Sequence, residues 1–321
     1  MIIEPLIAPP FVARKTAPQI LRADGTVFHT YPVLPIPQLY ALRADEGLAG
    51  CYDMLSGWAS NWYHWLFDTL ANTWALIDNP EQVVACLLKS GWNSVPFQKE
   101  CMDWFPNAMP ISPEDEPENE WIKHRLEPFF LKYNSVLNPL RFRGRTHPVI
   151  AHALRRKLLP YLQRTHPEFF GPRRKDCILI QRSSPFGKAF YTSRNIYNRD
   201  NLLARLSDYK PQVLFLEEMP VIEQCSAFYH ADLIIAVHGA GMAHIIWADP
   251  DAVILGVVSP LIWHNTFLSV AHVAGLNYIG LLASAVHYDE PQSPKRLYRH
   301  SLEVDIDGIL TIIEKANKPR P

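Results

Sequence analysis

Apolar runs and helical stretches alternate through the second half of the chain. Four runs have the length and unbroken hydrophobicity of buried strands, at 177–181, 213–216, 233–237 and 253–258. Three intervening segments have helical spacing, around 201–206, 221–230 and 241–247. Strands without polar alternation, separated by helices, are typical of a parallel sheet covered on both faces. The pattern predicts an α/β domain whose ligands bind beyond the carboxyl ends of the strands.

The first half is less regular, because many of the 28 prolines fall within it. One helix is predicted over 58–77, and a second over about 148–164 with a kink at Pro160. Between them, residues 83–88 favour a buried strand. Short strands are expected between the prolines of the first 50 residues.

Two polar, proline-bearing segments interrupt the chain. Residues 106–120 are acidic and hold four prolines, which indicates an exposed loop. The segment THPEFFGPRRKD at 165–176 is the best candidate for a linker. We therefore predict two domains, residues 1–165 and 166–321.

Composition narrows the class of protein. The net charge of −1 argues against general nucleic-acid binding, which needs a strongly basic face. No apolar run is long enough for a membrane span, and the amino terminus lacks the order of a signal peptide. The five cysteines form no CxxC, which indicates neither a disulfide framework nor a zinc site. We expect a cytoplasmic location, at the inner face of the membrane if the protein associates with it peripherally.

A glycine-containing turn is the sharpest local signal. His238, Gly239, Ala240 and Gly241 follow the apolar run LIIAV and precede a predicted helix. The glycines allow a tight turn and a close approach of a ligand to the backbone. Free N–H groups at the helix start can bind phosphate oxygens, and His238 could donate to a phosphate or hold a ribose. A plain strand-to-helix turn with a packed histidine is the alternative, because a short glycine loop is a weak motif.

Basic residues gather after the run CILIQ. Arg182 follows it directly, and Ser183, Lys188 and Arg194 complete a cluster within 13 residues. Arginine pairs bidentately with phosphate, so the cluster suits a diphosphate. A solvated basic loop is the alternative.

Acidic residues supply weaker signals. Glu218 and Glu223 lie where a helix begins after the 213–216 run, and a carboxylate there could hold ribose hydroxyls. Acidic residues are also common in a first helical turn for electrostatic reasons alone. The sequences DPD at 249–251 and DID at 305–307 match a DxD metal motif only in spelling, since the first lies on a turn and the second begins a predicted helix. We expect no metal site.

The sequence NWYHWLFD at 61–68 lies on the first predicted helix. His64 and Asp68 are i and i+4, so they share one face of that helix. A carboxylate beside an imidazole can orient it and raise its basicity, as a general base requires. A structural hydrogen-bonded pair beneath the surrounding aromatic residues is the alternative.

Four segments, in this order, resemble glycosyltransferase family 61. They are NWYHWLFD at 61–68, ILIQRSS at 178–184 with Arg194 beyond it, Glu223-Gln224, and ADLIIAVHGAGMAHIIW at 231–247. That family includes plant xylan xylosyl- and arabinosyltransferases and animal O-linked N-acetylglucosaminyltransferases. The resemblance covers about 50–280, and four motifs in the correct order are more specific than any one of them.

The resemblance implies a GT-B architecture, in which two Rossmann-like domains face each other across a cleft. It also implies an inverting transfer of a sugar from a nucleotide-sugar, most simply a UDP-sugar, to a glycan hydroxyl, with neither metal nor cofactor. Residues 1–165 would form the acceptor side and 166–321 the donor side. His64 would take the hydroxyl proton and Asp68 would orient it, although these two roles could be reversed. Donor-binding roles are expected for Arg182, Ser183, Lys188, Arg194, Glu218, Glu223, His238, Gly239, Ala240 and Gly241.

The chain departs from the family where His244 stands in place of a frequent Asn, so the donor site is expected to differ there. Its short length suggests a bacterial or viral member that acts on polysaccharide or lipid-linked glycan precursors. Two rival interpretations stay open. One is a non-catalytic nucleotide- or glycan-binding protein on the same scaffold. The other is an enzyme with a dinucleotide or adenosyl cofactor, which would require a GxGxxG opening that HGAG does not supply.

Overall fold

The computed structural model describes residues 2–5, 19–22, 26–30, 40–43, 51–53, 61–70, 76–77, 80, 84–87, 92–111, 151, 153–182, 195–260, 266–286 and 301–317. The chain forms two compact units. The first comprises residues 1–12 and 34–167, and the second comprises residues 13–33 and 168–321. The assignment of an acceptor side and a donor side to the two halves of the chain stays a prediction.

Strands and helices alternate along most of the described residues. The strands are β1 (Ile2–Pro5), β2 (Gln19–Leu21), β3 (Val27–Thr30), β4 (Tyr40–Arg43), β5 (Cys51–Asp53), β6 (Val84–Leu87), β7 (Ala108–Ile111), β8 (Asp176–Gln181), β9 (Gln212–Phe215), β10 (Ala231–Val237), β11 (Val253–Val258), β12 (Asn277–Leu282), β13 (Ser284–Val286) and β14 (Ser301–Glu303). The α-helices are α1 (Trp62–His64), α2 (Pro96–Asp103), α3 (Leu159–Thr165), α4 (Arg199–Arg205), α5 (Val221–His230), α6 (Thr266–Ala274) and α7 (Ile306–Asn317). Among these described helices, none has the length and apolar character that crossing a membrane requires.

Seven strands of the second unit form one sheet, in the order β3-β2-β12-β11-β10-β8-β9. All neighbours pair in parallel except β2 and β3. At the centre, Ile235 of β10 lies between Leu179 of β8 and Leu255 of β11. The mostly parallel sheet confirms the predicted α/β class, and the four predicted runs lie within two residues of β8, β9, β10 and β11.

One face of this sheet packs against α4 and α7. The shared core contains alternate strand residues such as Leu179 and Leu255, with Leu202 of α4 and Ile313 of α7, all at most 1% exposed. Burying a side chain of this size stabilises the fold by roughly 1.5–3 kcal/mol. No described residue of α5 or α6 belongs to this cluster. These helices contact β8, β10 and β12 and pack with a 3-10 helix at Ala240–Trp247, so they cover the opposite face.

The strand order reverses between β8 and β10. From β8 the chain moves outward to β9, then returns past β8 to β10, β11 and β12. Such a reversal opens a crevice at the carboxyl ends of the two strands, where ligands of open α/β sheets bind. Arg182 follows β8 and His238 follows β10, so both residues lie at this switch point.

A short segment from near the amino terminus extends the sheet. β2 pairs with β12, with Ile20 beside Gly280. A β-carbon on Gly280 would lie 2.9 Å from Cγ1 of Ile20, so glycine makes this close pairing possible. The boundary expected from the sequence at 165/166 did not assign this segment to the second unit.

In the first unit, β5, β6 and β7 form a parallel sheet, and β1 pairs antiparallel with β4. The strand β7 lies inside the segment predicted as an exposed loop, so that prediction was wrong for these residues. Among the strands that the structure describes, β7 lies at the edge of this sheet. An edge tolerates Pro110, which has no N–H to donate to a further neighbour.

The helix predicted over 58–77 takes another form. α1 passes into a π-helical turn at Trp65–Thr69, whose hydrogen bonds run from residue i to i+5. Trp65, Leu66 and Phe67 are at most 2% exposed. Three consecutive buried side chains occupy more of the helix circumference than the apolar stripe of about 100° on an amphipathic helix. Packing on most sides, rather than one apolar face, therefore determines this element.

The second predicted helix also changes type along its length. A π-helical stretch at Ala153–Leu158 gives way to α3, with Pro160 in the first turn of α3. Proline cannot donate a backbone hydrogen bond, so the bonding pattern changes where it enters the helix. Tyr161 then stacks on Phe105 at 5.3 Å and donates to the Trp104 oxygen at 2.7 Å.

The segment predicted as a linker is docked on the second unit from residue 168 onward. Arg173 donates to the backbone oxygens of Tyr229 and Ala231 at 3.1 and 3.0 Å. It also pairs with Asp232 at 2.6 Å and with Asp249 at 2.9 Å. These contacts lie at the amino end of β10 and fix the chain as it enters β8.

Candidate functional site

Arg182 and Gly239 meet at the switch point. The strands that precede them, β8 and β10, are neighbours in the sheet. A β-carbon built on Gly239 would lie 3.0 Å from Nη2 and 3.9 Å from Cζ of Arg182. The guanidinium group therefore lies directly against the Gly239 backbone, and two of the sequence signals belong to one place.

The glycines of HGAG provide space rather than an unusual backbone conformation. Gly239 has a φ of −179°, which any residue can adopt. A β-carbon on Gly241 would lie 2.8 Å from Cδ1 of Leu216, the residue that follows β9. The glycines thus permit a close approach of Leu216 at this strand-to-helix turn, and the carboxyl ends of β8, β9 and β10 converge on this loop.

The helix after Gly239 is a 3-10 helix of eight residues at Ala240–Trp247, whereas an ordinary helix was expected. Runs of this length are uncommon for the 3-10 form. Its first bond runs from the Met242 N–H to the Gly239 oxygen at 3.0 Å. The N–H groups of Gly239, Ala240 and Gly241 have no acceptor within the described residues. Free N–H groups at a helix start attract anions.

Arg182 combines a half-buried position with an uncompensated charge. Its guanidinium makes no ion pair or hydrogen bond to any residue that the structure describes. A cation beside unsatisfied N–H groups is a site suited to an anion such as a phosphate. The remaining members of the predicted basic cluster, Ser183, Lys188 and Arg194, lie outside the described residues.

His238 stands at the end of β10 with its backbone fixed. Its N–H donates to the Val257 oxygen at 2.9 Å, and its ring packs edge-on against Phe267 at 4.9 Å. The His238 ring is half-buried. It packs against the protein, as expected for a histidine in a plain strand-to-helix turn, while part of the ring stays accessible. Its expected contact with a nucleotide stays a prediction.

His244 faces the interior beneath the 3-10 helix. It is fully buried, stacks on Phe228 at 5.3 Å, and has the Cys225 Sγ 4.0 Å from its Nδ1. Burial lowers the pKa of His244 to about 3, so the ring is neutral at physiological pH. The departure from the family at this position therefore changes the packing under the helix rather than an exposed surface.

Glu218 and Glu223 are exposed near the start of α5, and their expected roles toward ribose stay predictions. The neighbouring Gln224 has a structural role that the sequence did not reveal. Its Nε2 donates to the oxygens of Leu216 and Met219 at 2.8 and 2.9 Å. Gln224 thereby holds the turn after β9, and Leu216 of this turn contacts Gly241.

The candidate base His64 is the last residue of α1 and is half-buried. Asn61 caps this helix by accepting from the Tyr63 N–H at 3.0 Å. Asp68 lies in the π-helical turn, where the i, i+4 spacing assumed for an α-helix does not hold. The side chain of Asp68 lies outside what the structure describes, so the predicted pairing stays a prediction.

Both DxD sequences have structural partners. Asp249 accepts from the Asp251 N–H at 2.8 Å and pairs with Arg173. Asp305 accepts from the Gly308 N–H at 3.2 Å at the start of α7, and Asp307 pairs with Arg205 at 2.9 Å. Across the described ranges there is no cluster of three or more His, Cys, Asp or Glu residues that could hold a metal ion.

Comparison with known proteins connects this site with one family. Beta-1,2-xylosyltransferase RCN11 of Oryza sativa subsp. japonica is 33% identical over 60 residues, which is 19% of this chain and 11% of that protein. The matched segment thus spans about a tenth of the relative's length. The family model Glycosyltransferase 61 matches residues 62–255, more than half of the chain, including Arg182 and the HGAG loop. The predicted family is therefore confirmed, and the chain belongs to glycosyltransferase family 61.

Proposed function

We propose that this family member is an inverting, metal-independent glycosyltransferase that moves a sugar from a UDP-sugar to a glycan hydroxyl. The observation that carries the proposal is the Arg182 guanidinium against Gly239, without a counter-ion among the described residues. Residues 166–321 would supply the donor side and residues 1–165 the acceptor side of a GT-B arrangement. His64 would act from the acceptor side.

A diphosphate matches the chemistry of the switch point. Arg182 supplies a fixed positive charge, and the N–H groups of Gly239, Ala240 and Gly241 supply further donors. A hydrogen bond between charged partners contributes roughly 1.5–3 kcal/mol. Ser183, Lys188 and Arg194 would add donors from the segment after Arg182. His238 would position the nucleotide, and Glu218 or Glu223 would hold ribose hydroxyls.

The same groups would lower the barrier to transfer. As the bond between the anomeric carbon and the phosphate oxygen breaks, the leaving diphosphate gains negative charge. Cations and N–H donors that bind this charge more strongly in the transition state accelerate the reaction. Stabilising the leaving diphosphate in this way requires neither a metal nor a cofactor. The proposal is consistent with both DxD sequences, whose aspartates make hydrogen bonds and ion pairs within the protein.

On the acceptor side, His64 would remove the hydroxyl proton as the oxygen attacks the anomeric carbon from the face opposite the diphosphate. The new glycosidic bond then has inverted configuration. Asp68 would orient the imidazole. We propose a bacterial or viral source and an acceptor among polysaccharide or lipid-linked glycan precursors in the cytoplasm, at the inner membrane face for a lipid-linked acceptor. The name of the rice relative makes UDP-xylose the first donor to assay.

The test measures the melting temperature with UDP, GDP, CDP, ADP, NAD and S-adenosylmethionine in the presence of EDTA. A ligand at about 100 times its dissociation constant adds roughly 2.7 kcal/mol, which is a shift of a few degrees. We expect UDP to raise the melting temperature and the rise to be much smaller, at the same UDP concentration, in Arg182→Ala. Arg174→Ala is the matched control, because Arg174 pairs with Asp176 at the amino end of the same strand.

The outcomes separate the possibilities. A shift with NAD or S-adenosylmethionine alone would overturn the proposal. A shift with another nucleoside diphosphate would correct the donor base. Binding of UDP-sugars without turnover of any acceptor would favour the non-catalytic alternative.

A further inference from the structure

The backbone of Arg182 is held by a side chain outside the sheet ladder. Asn195 accepts from the Arg182 N–H at 2.8 Å through Oδ1 and donates to the Arg182 oxygen at 3.1 Å through Nδ2. The ladder pairs of β8 end at Ile180 toward β10 and at Gln181 toward β9. The carboxamide therefore does for Arg182 what a neighbouring strand does for a residue within a sheet, because it satisfies both backbone groups of one residue.

Asn195 itself belongs to a fixed segment. Residues 195–198 run beside β14, where the Leu302 N–H donates to the Asn195 oxygen at 2.9 Å and the Tyr197 N–H donates to the Leu302 oxygen at 2.7 Å. Ile196 and Leu302 are 3% and 0% exposed in the core between sheet and helices. The carboxamide that holds Arg182 is thus attached to buried structure.

A second asparagine in this segment repeats the same arrangement elsewhere. Asn198 accepts from the Val304 N–H at 3.1 Å and donates to the Val304 oxygen at 2.8 Å. The two asparagines make the same pair of hydrogen bonds at similar distances, but of the two, Asn195 contacts the residue at the switch point. Asn198 therefore offers a matched control for the structural contribution of such a pair.

We infer that Asn195 is a positioning residue for the diphosphate site, because it fixes the Arg182 backbone so that the guanidinium lies against Gly239. The inference rests on the proposed function. Asn195 acts through Arg182 and need not contact the donor. Its loss lets the residue after β8 rotate, and the guanidinium then loses its fixed place beside the N–H groups of the HGAG loop.

The experiment is a double-mutant cycle on UDP affinity, measured by isothermal titration calorimetry, with melting temperatures recorded in parallel. Asn195→Ala should weaken UDP binding about 3- to 10-fold, the range expected when an oriented hydrogen bond is lost. In an Arg182→Ala background, Asn195→Ala should change the affinity less than about 2-fold, since its effect passes through Arg182. Asn198→Ala should lower the melting temperature comparably and leave UDP affinity within about 2-fold.

Equal losses of UDP affinity in Asn195→Ala and Asn198→Ala would overturn the inference, as would an undiminished effect of Asn195→Ala without Arg182. If Asn195→Ala does not fold, Asn195→Ser, which keeps a polar side chain but is too short to make the paired contact, is judged by the same cycle. A wild-type protein that binds no nucleoside diphosphate overturns the proposed function. UDP binding that depends on Arg182 but not on Asn195 overturns the positioning role alone.

Discussion

The Arg182 guanidinium lies so close to the Gly239 backbone that one added methyl group would displace it. A β-carbon at position 239 would lie 3.0 Å from Nη2, closer than ordinary van der Waals contact. Gly239→Ala should therefore weaken UDP binding about 3- to 10-fold by moving the charged group. The melting temperature should change little, because the displaced atom is the end of a flexible side chain.

Calorimetric titration with UDP measures this effect. Gly171→Ala is the control, since a β-carbon there would meet nothing within 4 Å. Wild-type affinity in Gly239→Ala would show that the contact between the two residues has no role in binding.

His64→Ala tests the proposed base. Turnover should fall by about 10²- to 10⁴-fold, because a positioned general base contributes that range. UDP affinity should stay within about 2-fold of wild type, since the proposed contacts to the diphosphate belong to other residues. The measurements are kcat with a saturating sugar donor and a calorimetric UDP titration. His166→Ala, which removes a histidine from the same unit, should retain turnover, and undiminished kcat in His64→Ala would exclude this residue as the base.

The buried His244 predicts how stability depends on pH. Burial lowers its pKa to about 3 in the folded protein, whereas the unfolded chain titrates at its ordinary value of about 6.5. Between these values the unfolded state binds more protons, so the free energy of unfolding falls as pH falls. The loss from this group should reach about 2 kcal/mol at pH 5 relative to pH 8.

Urea unfolding at the two pH values measures this loss. His244→Asn should be less stable than wild type at pH 8, yet should lose less stability on acidification. Burial also lowers the pKa of His230, so part of the pH dependence should remain in the variant. An identical loss in both proteins would mean that His244 is not the titrating group.

Arg173→Lys should lower the free energy of unfolding by about 1–3 kcal/mol. Arg173 holds Asp232, Asp249 and two backbone oxygens at once, and a lysine ammonium cannot reproduce the planar fork. Urea denaturation gives the change. The neighbouring Arg174 makes one ion pair, with Asp176, and its own side chain is largely exposed, so Arg174→Ala should cost less than about 1 kcal/mol. Equal losses of unfolding free energy in Arg173→Lys and Arg174→Ala would show that the four contacts of Arg173 stabilise the fold no more than a single ion pair does.

The sequence predicted the central strands and α5 well because their signals are local. The helix predicted over 221–230 matches α5, which begins after Pro220. β11 is buried at all six positions, which explains its unbroken apolar sequence. Arg182 and the HGAG loop could both be placed at carboxyl ends of strands, since parallel strands share that edge.

Other features depend on contacts between distant residues and leave no local pattern. The contact between the Asn195 carboxamide and the Arg182 backbone depends on β8 and β14, which are far apart in the chain. Similarly, the space at Gly239 is defined by a side chain 57 positions earlier in the chain. The π-helical turn after α1 is packed on most sides, and the spacing of apolar residues in the sequence does not reveal such a turn.

The pairing of β2 with β12 bears on how the protein is made. Ile20 lies beside Gly280, 260 positions later, so a ribosome synthesises one partner long before the other. Contacts this far apart in sequence form slowly, and an unpaired strand edge promotes aggregation meanwhile. This side of the sheet can close only after β12 has been synthesised, and a fragment that starts at residue 168 would expose the β12 edge. Expression of the second unit alone should therefore include residues 13–33, joined to it by a linker or by circular permutation.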